Sequence, residues 1–110
     1  TQAKKIAALA EARGVLVVPH NPLSPVSTAA CIQLAAAIPN FAIQEYPLGE
    51  DSAPKNRIVK STLTLKDGYL TVPEGPGIGI ELNESAMNDY PYKPRLYVTK
   101  LREDGAVADQ

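Results

Sequence analysis

Two ionisable side chains stand close to the ends of two apolar runs in the sequence. His20 comes just after the run at residues 15–18, and Glu45 comes just after residues 41–43. Continuous apolar runs are typical of strands buried on both faces, which belong to parallel sheets. The carboxyl ends of consecutive parallel strands are where α/β enzymes place their chemistry. His20 and Glu45 are therefore the candidate catalytic and substrate-binding residues.

The two residue types suit proton transfer next to a developing anion. An imidazole titrates near neutral pH, so His20 could accept a proton under working conditions. A protonated or strongly hydrogen-bonded carboxyl group at Glu45 could stabilise negative charge on a substrate oxygen. Each residue also has a structural explanation: His20 could be a turn residue, and Glu45 could be a solvated residue at the end of a strand. Asn21 could orient His20 or contact substrate, but its turn propensity explains it equally well.

A helix is predicted before the first apolar run. Ala3, Ile6, Ala7 and Ala10 recur at helical spacing, with charged residues on the other faces. Gly14 is placed to end this helix. The chain has no initiator Met and enters the helix at once, so we expect it to be the tail of something longer.

A second helix is predicted between the two apolar runs. Ser24 is placed as its N-cap and Pro25 as its first residue, where the missing N–H costs nothing. The helix continues to Ala37, and Pro39 ends it. Residues 1–46 are therefore predicted as α-β-α-β with a right-handed crossover and parallel strands.

The rest of the chain is predicted to be hairpin and extended structure. Residues 47–57 form a polar, Pro-rich loop, and Asp67-Gly68 is a strong hairpin-turn signal between alternating apolar residues. A Pro/Gly cluster at residues 73–79 precedes a short helical turn capped by Asn83. An extended tail occupies residues 90–98.

Composition excludes several classes of function. The 110 residues carry a net charge of −1 and no basic run, which argues against nucleic-acid and anionic-membrane partners. No apolar stretch approaches the ~20 residues of a membrane span, and the segment at residues 1–14 lacks the apolar h-region of a signal peptide. We expect a cytoplasmic protein. The single cysteine, Cys31, lies in an apolar run and is predicted to be a buried core thiol, not a nucleophile.

Other conspicuous residues are given structural roles. Gly75, Gly77 and Gly79 do not open a helix after a buried strand, which argues against a phosphate-binding role and favours tight turns. Tyr90 and Tyr92 are predicted to pack a tail. No metal ligand is assigned to the acidic residues scattered over loops, which are Glu50, Asp51, Glu84 and Asp89.

Several separate motifs resemble one enzyme family. Residues 19–47 (PHNPLSPVSTAACIQLAAAIPNFAIQEYP), residues 67–87 (DGYLTVPEGPGIGIELNESAM) and an ending with YPYKPR and EDGAVADQ occur in the family's order. They resemble the C-terminal part of galactonate-type acid-sugar dehydratases, in the mandelate racemase branch of the enolase superfamily. The ending is also similar to that of mannonate dehydratases.

The resemblance implies an α/β fold, the C-terminal part of a modified (β/α)₇β barrel of TIM type. Residues 1–47 would be its last βα units, and residues 48–110 a hairpin and extended segment that returns to the capping domain. His20 matches the family's general base, which removes the proton alpha to the substrate carboxylate. Glu45 matches the family's residue that hydrogen-bonds the enediolate. The reaction would be a hydro-lyase conversion of a galactonate-like aldonate to a 2-keto-3-deoxy sugar acid.

The resemblance also implies parts that this chain lacks. Family members hold Mg²⁺ with acidic residues on earlier strands, and a general acid and a base-orienting Asp lie there too. The chain alone is therefore expected to be inactive and to have no metal site. Its expected partners are an acid-sugar substrate, the remainder of the barrel and the capping domain, in a homo-oligomer when complete.

Two other functions stay open. One is another enolase-superfamily activity, such as a mannonate dehydratase or a racemase. The second is a non-catalytic small α+β domain. Two parallel strands with helices on one face would leave the other face uncovered, which argues against the second alternative.

Overall fold

A computed structural model of the chain describes residues 1–94 and 100–108. It contains helix α1 at Gln2–Glu11, helix α2 at Pro25–Ala36, a 3₁₀ helix at Lys55–Ile58 and a short helix α3 at Ala86–Asp89. The part of the predicted extended tail at residues 95–98 lies outside the described residues. No helix in the described part of the chain is long and apolar enough to cross a membrane.

The two long helices form where the sequence predicts them. Helix α1 ends before Gly14, whose φ of +66° is a left-handed conformation that favours glycine. Helix α2 begins at Pro25 with Ser24 as the N-cap residue, as predicted. However, the Ser24 side chain makes no capping hydrogen bond. Its carbonyl accepts the Thr28 N–H at 3.0 Å, so the first turn of α2 closes through the backbone.

The predicted strands at residues 15–18 and 41–44 do not form as regular strands. A single parallel bridge joins Val17 to Phe41, and it confirms their relative direction. The prediction that these runs are buried on both faces is wrong within the described chain, where Leu16 is 63% exposed and Ile43 is 66% exposed. A strand is stabilised by neighbours on its edges, and between these segments the pairing stops after one bridge.

Asn40 fixes the start of this bridge. Its buried side-chain Nδ2 donates to the carbonyl of Ala7 at 3.0 Å and to that of Val15 at 2.9 Å, and its own carbonyl accepts the Val17 N–H at 2.8 Å. The amide therefore joins helix α1 to both bridged segments. This junction sets the register that carries the chain forward to His20 and Glu45.

The predicted hairpin is reduced to its turn. Asp67 and Gly68 both have positive φ, at 51° and 80°, and Lys66 and Tyr69 exchange two backbone hydrogen bonds. No longer ladder follows in the described residues, and the flanking side chains are largely exposed. Positive φ at both central positions is a local preference of an Asp-Gly pair, so the turn forms without extended strands.

The segment after the hairpin turn packs against α2 and the 3₁₀ helix. Gln33 of α2 donates from Nε2 to the carbonyl of Pro73 at 2.8 Å. An antiparallel bridge joins Val59 to Leu82. The predicted Asn83 cap is wrong, because Ser85 is the N-cap residue of α3 and Asn83 contributes its carbonyl to the Ala86 N–H.

The interior is small and unusually polar. Within residues 1–94 and 100–108, its buried apolar side chains other than proline are Ala7, Ala29, Ile32, Ile38, Val59 and Ala86. The largest fully buried side chains are those of Glu50, Asn21, Thr28 and Pro25. Many large apolar side chains stay exposed, among them Ile6, Leu9, Leu16, Leu23 and Ile43.

Candidate active site

The structure brings His20 and Glu45 together. His20 lies in the turn between the bridged residue Val17 and helix α2, and Glu45 lies just beyond the partner residue Phe41. His20 Nδ1 is 3.2 Å from Glu45 Oε2. The His20 side chain is 82% exposed and that of Glu45 is 42% exposed, so both are accessible from one surface. The parallel pairing of the two segments accounts for this proximity, because their carboxyl ends leave the bridge on the same side.

Asn21 holds the Glu45 carboxylate in place. Its backbone N–H donates to Glu45 Oε2 at 2.5 Å, and its side-chain Nδ2 donates to the Glu45 carbonyl at 3.1 Å. The same Nδ2 donates to Thr28 Oγ1 at 2.7 Å. Asn21 is fully buried, so its geometry suits positioning of Glu45 and not contact with a ligand.

The arrangement leaves one nitrogen of His20 available for chemistry. The 3.2 Å approach of Nδ1 to the Glu45 carboxylate favours the neutral tautomer with its proton on Nδ1, in which Nε2 carries the free lone pair. Such an imidazole can accept a proton from a ligand bound on the exposed side. Glu45 Oε1 makes no hydrogen bond to any residue that the structure describes, so this oxygen can also face a ligand.

Glu50 is a buried carboxyl group that the sequence did not distinguish. By sequence it is one of several acidic residues scattered over loops, but it is fully buried and its Oε2 accepts a 2.6 Å hydrogen bond from Thr28 Oγ1. Burial raises the pKa of the Glu50 carboxyl above its ordinary value, while the Thr28 hydrogen bond and the charge of Lys55 oppose that rise. No motif or spacing separates Glu50 from its exposed neighbour Asp51, so no sequence signal could have found it.

An open cleft is lined by neither His20 nor Glu45. It runs between α1 and α2, where Lys4, Lys5, Ser27 and Cys31 contribute to its lining. Cys31 is half-buried, which corrects the prediction of a buried thiol. Its pKa is raised mainly by burial and also by the charges of Glu45 and Glu50, with Ser27 and Gln44 opposing, and a thiol with a raised pKa is a weak nucleophile at neutral pH.

A metal ion is not accommodated by the described residues alone. Within residues 1–94 and 100–108, no group of three or more His, Cys, Asp or Glu side chains is arranged to hold one. His20 and Glu45 are only two such groups, and Mg²⁺ prefers several oxygen ligands in octahedral geometry.

The fold and the parallel bridge between the two segments that lead to His20 and Glu45 agree with a family match. Residues 1–86 match the model of the enolase C-terminal domain-like family, to which this chain belongs. The predicted resemblance to the enolase superfamily and its α/β barrel domain is confirmed at this level. The detailed strand and hairpin description is not confirmed.

Individual relatives fall within the same superfamily. The chain is 37% identical over 108 residues to a D-galactonate dehydratase family member from Streptomyces bingchenggensis, covering 96% of this chain and 26% of that protein. It is 31% identical over 109 residues to a D-mannonate dehydratase from Caulobacter sp., covering 97% of this chain and 27% of that protein. The chain thus spans about a quarter of the length of these curated relatives.

A solved structure shares the fold of this chain and is also matched over only part of its length. A protein from Burkholderia xenovorans, named as a putative L-alanine-DL-glutamate epimerase and bound to magnesium and fumarate, superposes with a TM-score of 0.75 at 32% identity. The match covers 81% of this chain and 22% of that protein. The shared fold therefore extends over most of this chain and a minor part of its solved relative.

Proposed function

We propose that this chain supplies two catalytic side chains to an acid-sugar dehydratase, with His20 as the general base and Glu45 as the group that stabilises the enediolate. The observation that carries the proposal is the 3.2 Å approach of His20 Nδ1 to Glu45 Oε2, beyond two segments that are paired in parallel. Relatives named as D-galactonate and D-mannonate dehydratases support the reaction class.

The proposed reaction begins with proton transfer to His20. Its Nε2 takes the proton from the carbon next to the substrate carboxylate, and the C–H electron pair moves onto the carboxylate to form an enediolate. Glu45 hydrogen-bonds the enediolate through Oε1 when that oxygen is protonated. Collapse of the enediolate expels the β-hydroxyl group, which leaves as water after protonation. The resulting enol becomes the 2-keto-3-deoxy acid.

The proton for the departing hydroxyl group comes from outside this chain in our proposal. His20 is the only histidine of the 110 residues, and it is used as the base. We therefore assign the general acid, and the side chain that further orients His20, to other parts of the complete enzyme. Exposed apolar side chains on the two bridged segments, such as Leu16 and Ile43, support a surface that packs against the rest of a barrel.

Magnesium belongs to the proposal only as a requirement of the complete enzyme. The described residues do not form a metal site, so no step is assigned to a metal held by this chain. A similar solved protein binds magnesium together with fumarate, a carboxylate ligand. We propose that the metal ligands lie in other parts of the polypeptide.

The two parts of the chain have separate proposed positions. Residues 1–47 form the last βα units of the barrel, and residues 48–110 pack toward the capping domain. The hydrogen bond from Gln33 to Pro73 supports a path in which the second part first crosses helix α2.

The direct test is a screen of the intact protein against acid sugars, with products identified by NMR in D₂O. We expect a galactonate-like aldonate to lose water and give a 2-keto-3-deoxy acid. Deuterium exchange or epimerisation at the carbon next to the carboxylate, without loss of water, would instead identify a racemase. If no acid sugar is dehydrated or exchanged, the proposed function is wrong.

A further inference from the structure

Three buried polar side chains form a connected group behind the surface pair. Glu50, Thr28 and Asn21, here called the Glu50 cluster, are all fully buried. A buried carboxyl group is costly, and apolar side chains of similar volume often stabilise a fold as well or better. A cluster of this kind in a chain with so small an apolar core therefore calls for a function beyond packing.

The cluster leads by direct hydrogen bonds to the catalytic candidates. Glu50 Oε2 is 2.6 Å from Thr28 Oγ1, and Thr28 Oγ1 is 2.7 Å from Asn21 Nδ2. Asn21 then binds Glu45 through its backbone N–H and its side-chain Nδ2. Glu45 Oε2 in turn lies beside His20 Nδ1. The cluster thus connects the loop after Glu45, helix α2 and the turn that carries His20.

The Thr28 hydroxyl group lets the cluster keep its hydrogen bonds in either protonation state of Glu50. This hydroxyl accepts from Asn21 and has one proton to donate, with Glu50 Oε2 at 2.6 Å and the Ser24 carbonyl at 3.3 Å. If Glu50 is ionised, Thr28 donates to it. If Glu50 is neutral, its own O–H donates to Thr28, and Thr28 donates to Ser24. A glutamine at position 50 could reproduce both arrangements, and a leucine could reproduce neither.

We propose that Glu50 is a positioning residue for the His20–Glu45 pair and acts through Thr28 and Asn21. It does not contact substrate, because it is fully buried. This inference rests on the proposed function of His20 and Glu45. Small displacements of catalytic groups are costly, since a misplacement of about 1 Å can lower the rate about 100-fold. Loss of the cluster should therefore lower turnover more than substrate affinity.

The test compares conservative and disruptive variants in the intact protein. Thr28→Val removes the hydroxyl group at nearly constant volume and Thr28→Ser keeps it, while Glu50→Leu and Glu50→Gln form the second pair. Asp51→Asn, at an exposed neighbouring position, is the matched control. We expect kcat to fall at least about tenfold for Thr28→Val and Glu50→Leu, with KM changed less than about threefold. Thr28→Ser, Glu50→Gln and Asp51→Asn should stay within about threefold of the wild-type kcat.

A folded Thr28→Val protein with wild-type kcat would overturn the proposal. If Glu50→Leu does not fold, the Thr28 pair decides the outcome, because Thr28→Ser keeps the hydroxyl group that Thr28→Val replaces with a methyl group. A fall of kcat in Thr28→Ser equal to that in Thr28→Val would also overturn it, since the hydroxyl would then be irrelevant.

A second readout needs no substrate. The Asn21 amide donates to Glu45 Oε2, and its hydrogen exchange should be at least about tenfold faster in Thr28→Val than in Thr28→Ser. If the intact protein dehydrates no acid sugar, the proposed function fails, and this comparison alone decides whether the cluster holds the pair. Equal exchange in the two variants would overturn the linkage.

Discussion

At the scale of single residues, two carboxyl groups five positions apart have opposite environments. Glu45 is partly exposed beside His20, whereas Glu50 is sealed in the interior against Thr28. Two carboxyl groups that differ in solvent exposure and hydrogen bonding can take different roles. In our account Glu45 meets the substrate, and Glu50 maintains the geometry behind it.

The burial of Glu50 predicts a pH-dependent stability difference for Glu50→Gln. The folded-state pKa of Glu50 is raised by burial, so its stabilising contribution is present below its ordinary pKa and is lost as pH rises through the raised value. The titratable groups that interact with it are Lys55, which opposes the rise, and Tyr46 and Cys31, whose own pKa values are raised mainly by burial and also by the charge of Glu50. As the pH rises from about 4 to about 8, wild type should lose stability that Glu50→Gln keeps. The thermal midpoint of Glu50→Gln minus that of wild type should therefore increase with pH, starting near the unperturbed Glu pKa of ~4.3.

Thermal unfolding of the intact protein across that range measures the effect. Asp51→Asn is the control, because its side chain is exposed and its difference from wild type should change little with pH. A Glu50→Gln difference that is constant over the range would contradict the assignment of a raised pKa to Glu50.

The surface pair could be anticipated from sequence, and the buried cluster could not. His20 and Glu45 are close to the ends of apolar runs, and parallel pairing brings such ends together whatever the side chains are. Glu50 is buried by a contact with Thr28, 22 positions away, in a loop whose composition is that of any polar loop. Such burial is decided by tertiary packing and leaves no local pattern.

At the scale of elements, the sequence predicts the two long helices and the Asp67-Gly68 turn correctly, but not the regular strands. Helices α1 and α2 follow from apolar spacing and from Pro25 at the start of α2, and the turn at Asp67 and Gly68 follows from local backbone preference. Regular strands require a continuous ladder of hydrogen bonds to at least one neighbouring strand. The run at residues 15–18 finds only one bridged partner among the described segments.

Asn40 is the predicted weak point between α1 and the bridged segments. Asn40→Ala removes the donor to both the Ala7 and Val15 carbonyls, leaving these acceptors without that partner. We expect the free energy of unfolding to fall by about 1–3 kcal/mol, the cost of unsatisfied buried polar groups. Chemical denaturation of the intact protein measures the loss.

An exposed asparagine provides the control for this substitution. Asn88→Ala, on helix α3, should change the free energy of unfolding by less than about 0.5 kcal/mol. Equal small effects of Asn40→Ala and Asn88→Ala would mean that the Asn40 junction does not stabilise the fold.

At the scale of the whole molecule, many large apolar side chains of the described chain are exposed to solvent. An independent domain would be expected to bury more of them. Exposed side chains such as Leu9, Leu16 and Ile43 surround a small interior. The chain also spans about a quarter of the curated relatives that it matches. Both observations support the proposal that the His20–Glu45 pair works within a larger barrel.

Metal removal tests this division of the site. Since the described residues hold no three-ligand cluster, the proposal places Mg²⁺ elsewhere in the complete enzyme. Treatment of the intact protein with EDTA should abolish dehydration, and added Mg²⁺ should restore it. The 110-residue chain alone should show no turnover with or without Mg²⁺. Undiminished activity of the chelated protein would refute the metal requirement.

The measurement that tests the central claim most directly is the turnover of His20→Asn in the intact protein with its acid-sugar substrate. Loss of the general base should lower kcat by about 10²- to 10⁴-fold while the thermal midpoint stays near that of wild type. Glu81→Gln, which alters an exposed ion pair with Lys60, is the control and should retain wild-type kcat. A folded His20→Asn protein that keeps kcat within about threefold of wild type would contradict the account.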